Sequence, residues 1–377
     1  MIFIIVSCFL YFMTLIEDRF LFKFSYFLVA FFYCFTYGYG YDWMNYLDSY
    51  ENIMDPNYSH FFYEPSYLFI MRFFSWLGAP FSVFWAISIS FIYLSVYIFC
   101  DKLKAPSAGF FIIFSFVGYY IFSENIRQGI AVSICLFSIS PYINGNRRKA
   151  FLIILLAATF HVTSFLFLIA LLLLQGNRKK IKYFILCSLT FVSLFLFFLY
   201  NPGLLRFIPG VGEKFYLYSQ AYAWENGGFI LWLLTSRVFI VYIFILIIMN
   251  LIYRRERNVN VNGAMGGVLF LCLTRMTPVL LRFGYFMIPA IVYLMDDYLY
   301  KSGRRLKTKL LKFCYLTLVL IISTVPFVNP IYMKGSVPSL TILSSTADIN
   351  SVIIYKCGIL NKDNDNAVIR KCWVTKK

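Results

Sequence analysis

The chain contains 377 residues, of which 61% are hydrophobic, 21% aromatic and only 14% charged. Soluble globular proteins carry about a quarter charged residues, so this composition excludes an ordinary soluble domain. The formal net charge of +17 does not indicate a nucleic-acid-binding protein, because 19 of the 34 Lys and Arg residues lie in six short loops between apolar segments.

Apolar segments long enough to cross about 30 Å of hydrocarbon recur from one end of the chain to the other. The first of them lacks a basic n-region and a small-residue cleavage site, so we interpret it as a span and not as a cleavable signal peptide. The segments predict an all-α polytopic membrane protein with about ten transmembrane helices, at residues 1–16, 20–38, 80–100, 107–122, 128–143, 182–200, 229–252, 264–281, 283–300 and 309–328.

The basic loops predict how the chain crosses the membrane, because short loops rich in Lys and Arg mark the cytoplasmic side. They lie at residues 19–23, 102–104, 147–149, 178–182, 254–257 and 301–309. With these loops inside, both termini and the large loops 38–79 and 201–228 lie outside. Residues 38–65 contain five acidic residues and no Lys or Arg, as an outer loop should. We therefore predict a transmembrane domain, residues 1–330, and a short extracytoplasmic tail, residues 331–377.

Residues 149–174 have basic residues on both sides, so a single helix would place one basic loop outside. Two short limbs that meet near the sequence FHVTS satisfy both ends, either as a re-entrant hairpin or as a pair of short helices. Broken backbone is tolerated within a membrane only where protein or a water-filled cavity surrounds it. The pattern therefore predicts a cavity near His161.

Aromatic residues crowd the predicted outer loops. Residues 66–77 are too short to span, and with Arg72 among aromatic residues they predict an amphipathic helix on the outer interface. The other aromatic residues form either an interfacial belt or a platform on which sugar rings stack. They are Tyr37, Tyr39, Tyr41, Trp43 and Tyr46 in the first loop, and Tyr216, Tyr218, Tyr222 and Trp224 in the second.

The sequence lacks the motifs of metal or nucleotide chemistry, so it gives no support to a soluble-enzyme mechanism. The sequence contains no HExxH, P-loop, GxSxG or GxGxxG motif, and its nine cysteines lack the spacing of metal ligands. We therefore predict neither a metal nor a cofactor. Cys357 and Cys372 lie in the polar tail, and an extracytoplasmic location would allow them to form a disulfide.

Ionisable residues inside a membrane are costly, so each one is a functional candidate. In the sequence SENIRQGIA, residues 123–131, Glu124, Arg127 and Gln128 share one helix face because they are three and four residues apart. Glu124 and Arg127 form an ion pair that closes a helix end, or Arg127 binds a phosphate or diphosphate with its planar set of donors. In the second case Glu124 and Gln128 are candidates for substrate contacts.

Arg275 and Arg282 form a second candidate pair, seven residues apart and therefore near one face of a helix around Pro278. Arginines at one membrane depth repel one another unless an anion gathers them, and a lipid-linked diphosphate is the natural anion at this surface. The alternative is that both side chains extend to the lipid headgroups.

Three further residues are candidates for proton transfer. His161 is either a hydrogen-bonded packing residue or a group that transfers a proton at the predicted hairpin. Asp42 and Glu64 bracket the acidic loop, and either carboxylate can take a proton from an attacking sugar hydroxyl or serve in turns and helix caps. His60, the other histidine, is interpreted as solvated and passive.

Five sequence elements in this order, YGYGYDWMNY, YEPSYLFI, ENIRQGIAVSI, LAATFHVTS and LRFGYF, resemble the EpsG-like membrane proteins of exopolysaccharide loci. These proteins are grouped with the Wzy-type O-antigen and capsule polymerases, and the resemblance covers about residues 30–330. It implies a GT-C-like helical architecture in a bacterial inner membrane, with an active site that faces outward. It also implies a metal-independent glycosyltransferase that moves a growing glycan from undecaprenyl diphosphate to the non-reducing end of a lipid-linked repeat unit.

The resemblance assigns roles to the candidate residues. Arg127 and Arg282, with Arg275 as a weaker addition, would hold the donor diphosphate and stabilise it as the leaving group. Asp42, Glu64 or His161 would be the general base, and the resemblance does not choose among them. The partners that it implies are the lipid-linked repeat units, the bilayer and a chain-length regulator.

Two other classes of function fit part of the pattern. A lipid-linked oligosaccharide flippase would line a passage with charge through the whole depth of the bilayer, whereas the polar residues here gather near the predicted outer surface. An O-antigen ligase or another GT-C-type transferase would have a similar site, and only the order of the sequence elements separates it from a polymerase.

Overall fold

The computed structural model describes residues 2–16, 18–56, 58, 63–175, 177–208, 211–222, 228–301, 306–337, 339–362, 369 and 371–374. His60, Trp224 and parts of the predicted outer loops 38–79 and 201–228 lie outside these residues. The described chain is almost entirely helical, which confirms the predicted all-α class.

The first half of the chain contains nine helices and one short strand among its described residues. They are α1 (Ile2–Ile16), α2 (Arg19–Cys34), β1 (Thr36–Tyr37), α3 (Asp42–Glu51), α4 (Pro65–Trp76), α5 (Phe81–Asp101), α6 (Pro106–Val117) with a π-helical turn (Gly118–Glu124), α7 (Ile126–Ile143), α8 (Arg147–Ala158), and a 3-10 turn (Val162–Phe165) that leads into α9 (Leu166–Leu173).

The second half of the chain is also mainly helical. Its described elements are α10 (Arg178–Tyr200), a 3-10 turn (Pro202–Leu205), α11 (Val211–Tyr222), α12 (Gly228–Thr235), α13 (Arg237–Glu256), α14 (Val259–Thr274), α15 (Pro278–Gly284), a 3-10 turn (Tyr285–Met287), α16 (Ile288–Lys301), α17 (Leu306–Thr324), a 3-10 turn (Val325–Val328), α18 (Pro330–Gly335), β2 (Leu340–Thr341), α19 (Thr346–Lys362) and α20 (Lys371–Val374).

The helices confirm a polytopic membrane protein. Within the described residues, seven helices are long and apolar enough to cross a membrane. They are Phe81–Asp101, Pro106–Glu124, Ile126–Ile143, Arg178–Tyr200, Arg237–Glu256, Pro278–Lys301 and Leu306–Val328. Three shorter apolar helices accompany them, at Ile2–Ile16, Val162–Leu173 and Val259–Thr274. The number of ten spans and the GT-C-like architecture stay predictions.

The helix boundary predicted near residue 282 is wrong. The chain instead leaves its helix after Thr274 and enters the next one at Pro278. The Thr277 hydroxyl accepts a hydrogen bond from the Leu280 amide at 3.2 Å, and proline is favoured at the first helical position because it lacks an amide donor. Thr277 and Pro278 are therefore a helix start, and Arg282 lies inside the helix that follows. The predicted span 229–252 is also divided, at Ser236.

The predicted break within residues 149–174 is confirmed. Helix α8 ends at Ala158, and helical structure resumes at Val162. Each limb contains 12 helical residues and is therefore about 18 Å long, which is too short to cross the hydrocarbon by itself. The two limbs can run from neighbouring basic loops to a common turn at Thr159–His161.

Two of the basic loops contact residues that lie shortly before another basic loop. The Lys104 side chain pairs with Asp297, and the Lys104 backbone amide donates to Asp296 at 2.9 Å. Arg178 donates to the Tyr253 hydroxyl at 3.2 Å. The acidic loop, the turn at residues 159–161 and the tail meet at other contacts, described below. The orientation of these loops in the membrane stays a prediction.

The aromatic residues of the first outer loop form neither a belt nor a platform, because they are buried. Fractional exposures are 1% for Tyr37, 2% for Tyr39, 6% for Tyr41, 0% for Trp43 and 5% for Tyr46. Tyr37 and Tyr46 pack against α5, and Tyr37 is in edge-to-face contact with Trp43 at 5.9 Å. In the second loop, Tyr216 is exposed and Tyr218 is half-buried, whereas the side chain of Tyr222 lies outside the described residues.

The tail packs on the acidic loop. Strand β2 pairs antiparallel with β1, with Thr36 opposite Thr341 and Tyr37 opposite Leu340. A disulfide joins Cys357 to Cys372. The contacts tie the tail to the residues that precede Asp42.

Replacement of both Cys357 and Cys372 by serine should destabilise the tail by about 3 kcal/mol, since the bond closes a loop of about 15 residues in the unfolded tail. Faster tryptic cleavage within residues 336–374 of the purified protein would measure this loss. The exposed free cysteine Cys187, replaced by serine, is the matched control. Equal cleavage rates in the two variants would contradict the prediction.

Candidate active site

Glu64 stands at the centre of a group of three ionisable residues. It precedes Pro65, the first residue of α4, and its carboxylate does not cap that helix. Oε2 accepts a hydrogen bond from Nη1 of Arg127 at 2.7 Å, and Oε1 lies 3.1 Å from Nδ1 of His161. The Val162 amide also approaches Oε1 at 3.4 Å. One predicted catalytic residue, His161, and one predicted diphosphate ligand, Arg127, therefore share the carboxylate of Glu64.

The turn between α8 and the 3-10 turn that leads into α9 is hydrogen-bonded to the start of α4. The Ser66 amide donates to the carbonyl oxygen of Thr159 at 3.1 Å, and the Ser66 hydroxyl donates to the Thr159 hydroxyl at 2.7 Å. Because Ser66 is two residues from Glu64 and Thr159 is two residues from His161, this pair of bonds sets the distance between the carboxylate and the imidazole.

Arg127 lies in the first turn of α7 and packs against tyrosine rings. Its guanidinium carbon lies 4.6 Å from the ring centre of Tyr63, 5.9 Å from that of Tyr46 and 6.0 Å from that of Tyr67. Cation–π contacts of this kind stabilise a desolvated guanidinium. The acidic partner that the structure gives Arg127 is Glu64, across 63 residues of sequence, and not its near neighbour Glu124.

The electrostatics of the group favour an ionised Glu64 and a neutral His161. Burial raises the pKa of Glu64, but the hydrogen bond from His161 and the charges of Arg127 and His161 outweigh it and lower the pKa to about 2. Burial lowers the pKa of His161 below its ordinary value; the bond to Glu64 opposes this shift and the charge of Arg127 reinforces it. At neutral pH the Arg127 guanidinium is therefore the main counterion of Glu64.

A neutral His161 can donate from Nδ1 to the Glu64 carboxylate, which leaves the lone pair of Nε2 available. Nε2 has no hydrogen-bond partner among the residues that the structure describes. A carboxylate that orients an imidazole in this way produces a general base.

Asp42 and Arg282 form a second pair. Asp42 is the first residue of α3, and its Oδ2 lies 3.4 Å from Nη2 of Arg282. The side-chain amide of Gln128, on α7, donates to the backbone carbonyl of Arg282. Helix α7 therefore contacts the helix that carries this arginine. The Arg282 side chain is 46% exposed and that of Asp42 is 25% exposed. Both can reach a substrate.

Glu124, predicted as a substrate contact, lies beneath the loop that leads to Asp42. It is 7% exposed, and its Oε1 accepts a hydrogen bond from the Tyr41 amide at 3.0 Å. A Cβ atom at Gly40 would approach the Glu124 carboxyl group to 2.5 Å, so the loop passes directly over it. Asp42, Arg282 and Glu124 are close enough to interact electrostatically.

Arg275 does not share a helix with Arg282, contrary to the prediction, because the chain breaks at Thr277. It lies 8% exposed at the end of α14, with its guanidinium carbon 5.5 Å from the ring centre of Tyr242. A small cavity adjoins it, lined by residues of α1, α6, α13 and α17. Several buried polar atoms at this cavity have no hydrogen-bond partner in the described chain: Arg275 Nε and the hydroxyls of Ser7, Ser115, Tyr119 and Tyr285. No carboxylate of the described residues lies within 4.0 Å of this guanidinium.

A family model described as the EpsG family matches residues 19–335. No curated protein and no solved structure matches the chain. The matched region contains all eight predicted site residues and ends at Gly335, so most of the tail lies beyond it.

Proposed function

The chain belongs to the EpsG family, and on this premise we propose that it is a polysaccharide polymerase. It transfers a growing glycan from undecaprenyl diphosphate to the non-reducing end of a lipid-linked repeat unit at the outer face of the cytoplasmic membrane. The disulfide Cys357–Cys372 supports this orientation, because such bonds persist on the oxidising side of a membrane.

The observation that carries the proposal is the contact of one carboxylate, Glu64, with both Arg127 and His161. It orients the imidazole and leaves Nε2 of His161 as a proton acceptor. In the proposed reaction Nε2 takes the proton from a sugar hydroxyl of the acceptor. The hydroxyl oxygen bonds to the anomeric carbon of the donor, and the bond from that carbon to the diphosphate oxygen breaks. The diphosphate leaves with the bonding electrons.

The choice among the candidate bases follows from their partners. Glu64 accepts from Arg127 and has a pKa of about 2, so it is a poor acceptor at neutral pH and orients His161 instead. His161 is the base that we propose. Asp42, with its partly exposed carboxylate opposite Arg282, is the alternative.

Charge on the leaving diphosphate requires cationic partners. Arg127 has its charge balanced by Glu64, and Arg282 is paired more loosely with Asp42. Arg275 is a buried cation beside unpaired hydroxyl groups and lacks a carboxylate partner in the described chain. We therefore assign the donor diphosphate to Arg275 and Arg282, and we assign to Arg127 the task of holding Glu64 ionised.

Deletion of the gene in its producing cell, followed by complementation, tests this function. Wild type should restore a ladder of long surface glycans, and Arg282→Ala should reduce long chains by about 100-fold or more because it removes a cation from the leaving group. Arg237→Ala, an exposed arginine at the start of α13, is the matched control and should restore the ladder.

The state of the deleted cell separates a polymerase from a flippase. Surface glycan that carries a single repeat unit supports a polymerase. An absence of surface glycan, with lipid-linked units trapped inside, would overturn the proposal in favour of a flippase.

A further inference from the structure

The tail inserts a lysine into the loop that precedes Asp42. Lys356, on α19, is fully buried. Its ammonium group donates to the backbone carbonyl oxygens of Gly38, of Gly40 at 2.9 Å and of Gly335 at 2.7 Å. An ammonium group has three N–H donors, and here each one has a carbonyl acceptor.

The surroundings of Lys356 are unusual for a residue that serves stability alone. Its Nζ lies 5.8 Å from the ring centre of Trp43 and 6.0 Å from that of Tyr41. No carboxylate in the described part of the chain is within 4.0 Å of it. Burial of a charge is costly, and apolar replacements of buried ionic groups are often neutral or stabilising. We therefore infer that Lys356 serves to hold the loop in one conformation.

That loop has a conformation that favours glycine. Gly38 has a φ of +85° and Gly40 a φ of +68°, which side chains disfavour. The Gly40 amide donates to the Gly335 carbonyl at 3.0 Å, and the Tyr41 amide donates to Glu124. Lys356 therefore completes a set of bonds that fixes each peptide group between Gly38 and Tyr41, directly before Asp42.

The tail also holds the other end of α3. Lys371 pairs with Glu51, and its Nζ lies 3.9 Å from Asp48. The disulfide joins the neighbours of these two lysines, Cys357 and Cys372. The segment closed by the disulfide therefore contacts the C-terminal end of α3 through Lys371. Through Lys356 it contacts the loop that precedes the N-terminal end of α3.

We propose that Lys356 is a positioning residue for the polymerase reaction, which holds the Gly38–Tyr41 loop so that Asp42 stays opposite Arg282. The inference rests on the proposed function, in which Arg282 holds the donor diphosphate. It concerns a part of the chain beyond the region that the EpsG family model matches.

The test is Lys356→Met in the full chain, expressed in the deleted producing cell. Methionine fills a similar volume but leaves the buried carbonyl oxygens of Gly38 and Gly40 without this donor, so the protein should still accumulate but melt at a lower temperature than wild type. Long-chain glycan should fall by about 10- to 100-fold, because small displacements at a reacting group have effects of that size. Lys312→Met is the matched control, since Lys312 also donates to a backbone carbonyl, that of Leu299, but on α17.

A second arm separates positioning from a general loss of structure. In an Asp42→Asn background, Lys356→Met should cause no further loss of the residual polymer, since the residue that it positions has been removed. Equal fractional losses in both backgrounds would overturn the inference. If Lys356→Met does not accumulate, Lys371→Met replaces it in the same pair of backgrounds, because that change breaks only a partly exposed ion pair at the end of α3.

The proposed function and this inference fail in different ways. If wild type restores no polymer to the deleted cell, the proposed function is wrong. If wild type, Lys312→Met and Lys356→Met all restore the same ladder, the function stands and the positioning role is wrong.

Discussion

Replacement of His161 by alanine should reduce long-chain glycan by about 1,000-fold, within the range of 100- to 10,000-fold that a positioned general base contributes. The reason is the orientation of its ring: Nδ1 faces the Glu64 carboxylate at 3.1 Å, and Nε2 is left as the proton acceptor. The glycan ladder of complemented cells, normalised to the amount of protein in the membrane, measures the effect.

The same assignment predicts a dependence on pH. A base acts while it is unprotonated, and burial lowers the pKa of His161 below its ordinary value of about 6.5. Polymerase activity of the purified protein should therefore be constant through neutral pH and fall as the pH drops through that lowered pKa. Glu64→Gln removes a charge that raises this pKa, so the acid limb should move to still lower pH.

The control for His161 is His60→Ala, at the second of the two histidines in the chain, which should keep the wild-type ladder. His161→Gln keeps a polar side chain at the turn and provides a second variant if alanine disturbs the contact with α4. A wild-type ladder from both His161 variants would eliminate this base and leave Asp42 as the candidate.

Arg275→Met should abolish most activity and yet leave the protein at least as stable. A buried cation without a carboxylate partner opposes folding, and apolar replacements of buried ionic groups are often neutral or stabilising by about 1–4 kcal/mol. Arg275 is 8% exposed, with an unpaired Nε beside the cavity. A diphosphate bound to Arg275 would supply the negative charge that the protein does not provide.

Two measurements on purified protein in detergent test this prediction. The melting temperature of Arg275→Met should equal or exceed that of wild type, whereas the dissociation constant for undecaprenyl diphosphate should rise by about 100-fold, as expected when a charged partner of a phosphate group is lost. Arg237→Met, an exposed arginine on the neighbouring helix α13, should change neither quantity. Unchanged affinity in Arg275→Met, or a large loss of stability, would remove Arg275 from the proposed donor site.

The positions of the predicted site residues show where sequence information ended. Asp42, Arg127, His161 and Arg282 were identifiable because each is an ionisable residue within or next to a predicted membrane segment, where charge is costly. Glu64 was identifiable because it brackets the acidic outer loop with Asp42. Their pairing was not identifiable. Glu64 meets Arg127 across 63 residues and His161 across 97, and the sequence offered the nearer Glu124 as the partner of Arg127.

Other structural features have a sequence pattern that could be interpreted correctly only once the structure was known. Thr277 followed by Pro278 is a helix start, and this dipeptide places Arg275 and Arg282 on different helices. The tyrosines and the tryptophan of the first outer loop looked like an interfacial belt because composition cannot distinguish a membrane surface from a buried loop. The only notable sequence feature of Lys356 is that it precedes Cys357. Nothing in the adjacent sequence indicates that it contacts Gly38 and Gly40.

The class of the protein could be predicted from hydropathy, because hydropathy acts locally and each segment carries its own signal. The sequence also determined the break near His161, since two basic loops at the ends of one apolar segment leave a single helix no consistent orientation. The tertiary structure decided which charges meet: Glu64 with Arg127 and His161, Asp42 with Arg282, and Arg275 with a cavity. Those contacts depend on distances between residues far apart in the chain, and such distances are set by the packing of whole helices.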